Sequence, residues 1–203
     1  KKVIDTGKVP LIVDPDGASI TALKPDVVVD AILAKKNFGT NRSMAPLTVG
    51  LGPGFAAGED VDIVIETMRG HNLGRIIREG SAIPNTGIPG NIGGYTAERV
   101  IHAGAEGILY NVHKIGDIVE QGEEIAYIAD EKENRRYSVT ATIPGIIRGL
   151  IRDGYPATKG FKIADIDPRK SELSNCFTIS DKARCIAGSV LEVVCAFGSN
   201  ILS

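Results

Sequence analysis

Short β-branched runs of apolar residues dominate the first 80 positions of the chain. Four of them, mostly bounded by Gly, Pro, Asp or Asn, cover residues 9–13, 27–31, 47–51 and 61–67. Near-continuous hydrophobicity in such runs is typical of strands buried on both faces of a mostly parallel sheet. Weak helical segments at 18–24 and 32–36 lie between the first three runs. The pattern predicts a Rossmann-like α/β remnant with a mixed sheet.

A repeat of 38 residues organises the second half of the chain. Eight residues from Gly107 align without a gap with eight from Gly145, and the same offset pairs Gly116 with Gly154. Each copy reads strand, Gly turn, short strand, Gly turn, strand, and one copy alone cannot bury its apolar face. We expect the two copies to close a small β-sandwich. Residues 107–166 thus resemble the barrel-sandwich hybrid of biotinyl and lipoyl carrier domains.

Two further segments complete the predicted organisation. Gly and Pro fill residues 80–97, which cannot hold regular structure for long and form the candidate rim of a site. Ser180 precedes helix formers, and apolar residues from Ala183 to Cys195 recur at helical spacing, so an amphipathic helix is expected to pack back on the α/β domain. The expected fold class is α+β, with the parts α/β domain 1–79, linker 80–98, barrel-sandwich hybrid 99–170 and C-terminal helix 171–203.

Composition and charge narrow the partners. The 203 residues carry 23 Lys and Arg against 25 Asp and Glu, interspersed to a net charge of −2, which favours neither a nucleic acid nor a membrane surface. The longest apolar stretches are far shorter than the roughly 20 residues that a bilayer requires. We therefore expect a cytoplasmic protein. The start at Lys1, without an initiator Met, indicates a fragment or a missing earlier segment.

The cysteines do not predict a metal site. Cys176, Cys185 and Cys195 are odd in number and lack the close Cys-x-x-Cys pairs that zinc favours. Free buried thiols in a reducing cytoplasm are the expected state. No Ser-His-Asp or Cys-His arrangement stands out either, so the sequence assigns no catalytic residue.

Polar residues follow two of the predicted strands. Glu66, Arg69, His71 and Arg75 lie within ten residues at an expected strand end, where ligands of α/β sheets bind. Arg forks suit phosphate or carboxylate. A Gly-rich turn follows another strand and allows close approach to an anion. Hydrated turns attract the same residue types, and that alternative stays open. The candidate ligand-binding residues are Gly52, Pro53, Gly54, Glu66, Arg69, His71, Arg75 and Asn85.

Lys132 is a candidate carrier lysine. It lies in the charged segment 129–136 between the two repeat copies, where swinging-arm carrier domains present a modified lysine. The segment lacks the Met-Lys-Met of biotinyl domains and is longer than a lipoyl hairpin. A solvated charged turn is the alternative interpretation.

Seven segments resemble the YqeB family, which is associated with selenium-dependent molybdenum hydroxylases. They are VPLIVDP (9–15), PDVVVDAILAK (25–35), APL (45–47), LGPGF (51–55), ETxRGH (66–71), PNTG (84–87) and FTISDKAR (177–184). Members of the family usually begin with a glycine-rich, nucleotide-binding-like strand and turn, which this chain does not contain.

The resemblance implies an accessory protein that assists maturation of a selenium-dependent molybdenum hydroxylase. Its partner would be the hydroxylase or another maturation factor, and a homo-oligomer stays open. The ligand would be anionic: a nucleotide, a molybdopterin-type cofactor or a selenium species. Two alternatives remain, namely a cysteine-dependent transferase of selenium or cofactor and a lipoyl- or biotin-type carrier modified at Lys132.

Overall fold

The computed structural model describes residues 2–87, 90–130 and 133–201. These residues separate into two compact units. The first unit combines Lys1–Asn85 with Ser180–Ser203, and the second is Thr86–Ile179. Within the described ranges, no helix has both the length and the apolarity needed to cross a membrane.

The first unit contains a four-stranded sheet in the order β1-β2-β4-β5. Its strands β1, β2 and β4 are parallel, and β5 is antiparallel to β4. The strands β3 and β6 form a separate antiparallel pair. The bounds are β1 (Val27–Asp30), β2 (Leu47–Leu51), β3 (Ala56–Ala57), β4 (Ile63–Ile65), β5 (Ile76–Ile77) and β6 (Gly80–Ser81). Because parallel strands point the same way, the carboxyl ends of β1, β2 and β4 lie at one edge.

Two helices belong to this unit. The short α1 (Ala18–Leu23) begins where the Asp14 carboxylate accepts hydrogen bonds from two backbone amides. The 21-residue α2 (Asp181–Ile201) begins at Ser180, whose Oγ accepts the Ala183 N–H at 3.1 Å. Ile186 and Val193 of α2 pack in one apolar core with residues of β2 and β4. Each fully buried side chain of this kind contributes roughly 1.5–3 kcal/mol. Short 3-10 turns cover Ile4–Thr6 and Arg42–Met44.

The predicted fold class is wrong. The described residues are mostly β with one long helix, α2, rather than a Rossmann-like domain beside a barrel-sandwich hybrid. A Rossmann-like sheet needs helices on both faces, whereas in the described residues only the six-residue α1 and the two 3-10 turns Ile4–Thr6 and Arg42–Met44 precede β1 and β2. An apolar run in the sequence indicates that a strand is buried, but it does not show which elements pack against that strand. Here loops and α2 do much of that packing.

Two local predictions fail as well. Residues 9–13 form no strand, and the side chains of Leu11 and Val13 are 97% and 99% exposed. A β-branched run forms a strand only when a neighbour pairs with it. Residues 32–36 form no helix, since Leu33 and Lys35 adopt left-handed φ values of 58° and 65°.

The second unit consists mainly of two four-stranded antiparallel sheets. Their orders are β11-β10-β8-β13 and β7-β14-β12-β9. The bounds are β7 (Val100–His102), β8 (Gly107–Asn111), β9 (Ile118–Val119), β10 (Glu124–Asp130), β11 (Arg135–Thr140), β12 (Gly145–Leu150), β13 (Tyr155–Ala157) and β14 (Lys162–Asp167). Both sheets contribute to one core that contains Leu109, Ile128, Ile147 and Ile166. The 3-10 segments Ala97–Arg99 and Lys170–Phe177 flank the sheets.

The two copies of the 38-residue repeat exchange their short strands. The first copy places β8 and β10 in one sheet and β9 in the other, where β9 pairs with β12. The second copy does the same, because its short strand β13 pairs with β8 of the first copy. Neither copy therefore completes a sheet by itself.

Equivalent glycines allow close backbone approach in both copies. A Cβ added at Gly107 would lie 2.3 Å from the carbonyl oxygen of Ala129. One added at Gly145 would lie 2.4 Å from the carbonyl oxygen of Asp167. Both contacts are far closer than two such atoms tolerate, so these positions exclude any side chain.

We expect Gly145→Ala to destabilise the second unit by about 1–3 kcal/mol, because the strands must separate to admit the methyl group. Gly149→Ala, in the same strand, is the matched control: its added Cβ would have its nearest neighbour at 3.6 Å, so a change within about 0.5 kcal/mol is expected. Urea denaturation of the two variants measures the difference. Equal unfolding free energies would show that β12 and β14 do not approach this closely.

Candidate functional site

The turn after β2 and the loop after β4 lie side by side at the carboxyl edge of the first sheet. The Gly52 N–H donates to the Ile65 carbonyl at 2.8 Å. Gly52 has a φ of 82°, and a Cβ added there would lie 2.5 Å from Thr67 Oγ1. The turn at Gly52–Gly54 and the loop that begins at Glu66, both predicted from the sequence, thus share one edge. Carboxyl ends of parallel strands are where open sheets bind ligands.

The loop after β1 reaches the same edge. A Cβ added at Gly54 would lie 2.6 Å from Lys36 Cα, so this glycine admits the loop backbone. The Asp30 carboxylate orders the loop, because it accepts hydrogen bonds from the Ile32 N–H at 3.0 Å and from Thr40 Oγ1 at 2.7 Å. In this loop Leu33 and Lys35 adopt left-handed backbone. Such backbone is strained at non-glycine residues, and strained residues are concentrated at functional sites.

Glu66 is a buried carboxylate with a positioning role. Its side chain is 2% exposed, and its two oxygens accept the backbone N–H groups of Met68 at 2.7 Å and of Ile83 at 2.8 Å. Its own N–H donates to the Arg75 carbonyl, and its carbonyl accepts the Gly74 N–H. Because both oxygens are occupied by backbone donors, Glu66 organises the loop that carries Arg69.

Arg69 forms a two-pronged ion pair with Asp181 at the first turn of α2. Its Nη1 and Nη2 donate to Oδ2 and Oδ1 at 2.8 Å and 3.0 Å. The two side chains are 58% and 68% exposed. The hydrogen bonds from Arg69, followed by one from the Lys182 N–H, hold the pKa of the Asp181 carboxyl well below its usual range. A carboxylate in this position also suits the positive end of a helix dipole.

Two neighbouring cations act on Lys182 at this edge. Lys182 is half-buried, and its pKa is lowered first by burial and then by the positive charges of Lys35 and Arg69. The negative charge of Glu66 opposes that effect. Like charges held together in a partly desolvated place disfavour one another, and an anion bound there would relieve the repulsion.

The remaining predicted site residues lie more openly. His71, Arg75 and Asn85 are exposed, and Pro53 is half-buried in the turn after β2. Asn85 lies two residues after Ile83, whose N–H donates to the Glu66 carboxylate. Lys132, the candidate carrier lysine, falls outside the described residues.

Sequence reasoning missed Lys35, Asp181 and Lys182. All three lie in segments that carry the family resemblance, 25–35 and 177–184. One signal was present: Ser180 predicts the start of a helix, which places Asp181 and Lys182 in the first turn. The approach of that turn to Arg69, 112 residues away along the chain, left no local pattern.

The three thiols are more accessible than expected. Cys185 and Cys195 lie on α2 and are exposed, whereas Cys176 is half-buried. Cys185 Sγ donates to the Leu73 carbonyl at 3.3 Å, in the loop that also holds Arg69. In the part of the chain that the structure describes, no group of three or more His, Cys, Asp and Glu residues is arranged to hold a metal ion.

Comparison with known proteins points to one family. No family model matches the chain. Over 193 residues it is 49% identical to the uncharacterized protein YqeB of Escherichia coli (strain K12). This match supports the assignment of the chain to the YqeB family. It covers 95% of this chain but only 34% of the E. coli YqeB protein, so the chain spans about a third of that relative.

The likenesses to solved structures are partial. A succinylglutamate desuccinylase/aspartoacylase from Rhodobacter sphaeroides is 21% identical, with 34% of this chain and 22% of that chain covered at a TM-score of 0.32. An aspartoacylase family protein from Mesorhizobium loti is 10% identical, with 60% and 43% covered at a TM-score of 0.35. At these TM-scores neither likeness carries an argument about activity.

The positioning role of Glu66 predicts a stability effect. Glu66→Gln replaces one acceptor oxygen with an NH2 group that faces a backbone donor, and we expect a loss of about 1–3 kcal/mol in unfolding free energy. Glu59→Gln is the matched control at an exposed position, with an expected change within about 0.5 kcal/mol. Chemical denaturation measures both variants. Equal stabilities would show that the carboxylate does not organise the loop.

Proposed function

We propose that the chain is a binding module that holds an anionic ligand at the carboxyl edge of its first sheet. The observation that carries the proposal is the Arg69 fork, which holds the Asp181 carboxylate by two hydrogen bonds at that edge. The positive charges of Lys35 and Arg69 also lower the pKa of Lys182, so three cations, Lys35, Arg69 and Lys182, influence this edge. Each comes from a different segment: the loop after β1, the loop after β4 and the first turn of α2.

The arrangement is costly without a ligand. Burial and neighbouring positive charge both work against a protonated Lys182. A scaffold that gathers cations in this way favours an anion, which gains charge-assisted hydrogen bonds that are stronger than neutral ones. Gly52 and Gly54 let the β2 turn pack closely against Thr67 and Lys36, and the dipole of α2 adds a further positive potential.

The wider role that we propose is assistance in the maturation of a selenium-dependent molybdenum hydroxylase in the cytoplasm. The support is the family resemblance together with the match to YqeB of E. coli. In this role the ligand is a molybdopterin-type cofactor, a nucleotide or a selenium species. The partner is the hydroxylase itself or another maturation factor.

Anion binding is tested by calorimetric titration with inorganic phosphate, adenosine monophosphate, selenite and acetate. We expect Lys182→Met and Arg69→Ala to weaken binding of the preferred anion by about tenfold to a hundredfold, because each removes a charged donor. Lys8→Met, at an exposed position of the same unit, serves as the control and should bind like the wild type. Failure of all four anions to bind the wild type, or unchanged binding by both site variants, would end the proposal.

A cysteine-dependent transferase is the alternative that one observation favours. Cys185 is exposed and contacts the loop that carries Arg69, so a transferred selenium or cofactor atom at Sγ would lie close to the proposed site. This alternative predicts that iodoacetamide alkylates Cys185 faster than Cys195, since a transferring thiol must be reactive as a thiolate. Slow alkylation of all three thiols in the native protein would contradict it.

A further inference from the structure

Asp181 fills the Arg69 fork in the structure. The two terminal guanidinium nitrogens, Nη1 and Nη2, donate at 2.8 Å and 3.0 Å, in the geometry that Arg offers to carboxylate or phosphate. Both side chains remain more than half exposed. Exposed ion pairs contribute little to stability and are easily exchanged. Asp181 is therefore a weakly held internal anion at a position where an external anion would bind.

The carboxylates of Glu66 and Asp181 differ in whether they can leave their hydrogen-bond partners. Glu66 is buried and commits both oxygens to backbone amides, so it cannot leave. Asp181 lies at the surface and is joined to Arg69 by side-chain contacts. The positive charges of Arg69 and Arg184 act on Asp181, and the negative charge of Glu66 acts on Lys182. When Asp181 leaves Arg69, the site suits a ligand with more than one negative charge.

The number of acceptor oxygens narrows the chemical class of the ligand further. A carboxylate has two oxygens, and in Asp181 both face the fork of Arg69, so any further donor must share an oxygen that the fork already uses. A phosphate group has three terminal oxygens when it is an ester and four when it is free, and it carries between one and two negative charges near neutral pH. It can fill the fork and still accept from a lysine.

Resting on the proposed function, we propose that the ligand of this site presents a phosphate group, which displaces Asp181 from Arg69 and is shared between Arg69 and Lys182. Asp181 is then a specificity-determining residue. It repels or outcompetes weak monoanions and yields to a dianion that gains a second cation.

The displacement changes the ionisation of Asp181. Arg69 lowers the pKa of this carboxyl most strongly in the ligand-free protein, and the Lys182 N–H and the charge of Arg184 lower it further. A bound phosphate removes Arg69 as a partner and adds a nearby negative charge, and both changes raise the pKa of Asp181. Phosphate binding should consequently be coupled to proton uptake by Asp181 at acidic pH, between the low pKa of the ligand-free protein and the raised pKa of the complex.

The experiment compares the wild type, Asp181→Asn and Glu192→Gln, titrated with inorganic phosphate and with acetate. Glu192 is an exposed acid on the same helix, 11 residues from Asp181, so its removal makes the same charge change at roughly 16 Å. That distance exceeds the screening length of about 8 Å at physiological salt. NMR titration of the Asp181 carboxyl carbon, with and without phosphate, measures its pKa in the wild type without any substitution.

We expect Asp181→Asn to bind phosphate about two- to fivefold more tightly than the wild type, since the internal competitor is gone. Glu192→Gln should bind like the wild type, acetate should bind more weakly than phosphate, and the Asp181 pKa should rise when phosphate binds. Adenosine monophosphate separates the two sources: tighter binding than inorganic phosphate indicates an ester, and equal binding indicates free phosphate.

Two results would overturn the inference while the proposed function stands. One is phosphate binding to the wild type that Asp181→Asn leaves equal or weaker, with an unchanged Asp181 pKa. The other is acetate binding as tight as that of phosphate. Absence of binding by every anion tested would instead defeat the proposed function and this inference together.

Discussion

The buried carboxylate of Glu66 joins the loop after β4 to the chain at Ile83 and so fixes the edge on which the site depends. A charged group without partners would not be tolerated at 2% exposure, and here two backbone amides satisfy it. The same residue pairs its main chain with Gly74 and Arg75. Arg69 lies inside the loop closed by these contacts, so its position follows from a carboxylate whose two oxygens are both bound to backbone amides.

Around that fixed loop, the site draws on parts that are far apart in the chain. The parallel register of β1, β2 and β4 brings three strand ends to one edge. The apolar face of α2 binds the same sheet, which delivers Asp181 and Lys182 to that edge. The chemistry at the surface is therefore set by packing underneath it: the core contacts of Ile186 and Val193 determine where the first turn of the helix lies.

The sequence predicted individual strands better than the architecture. The apolar runs at 27–31 and 47–51 correspond to β1 and β2, and the amphipathic spacing after Ser180 corresponds to α2. The predicted fold class was wrong because an apolar run does not reveal which elements pack against it. At the site, the glycines and Arg69 carried local signals in turn-rich segments. Lys35 and Lys182 did not, since a lysine beside a helix or in a loop is ordinary until distant segments bring several together.

The exchange of short strands in the second unit has a consequence for how this part of the chain folds. The sheet that begins with β8 lacks its edge strand β13 until residues 155–157 have been synthesised. The other sheet starts from β7 and needs β14, which ends at Asp167. Nearly the whole of the unit must leave the ribosome before either sheet is complete. Long-range pairing of this kind makes folding slow and leaves half-built edges open to other chains. The unit should thus rely on chaperones, or on rapid completion of synthesis, more than its small size suggests.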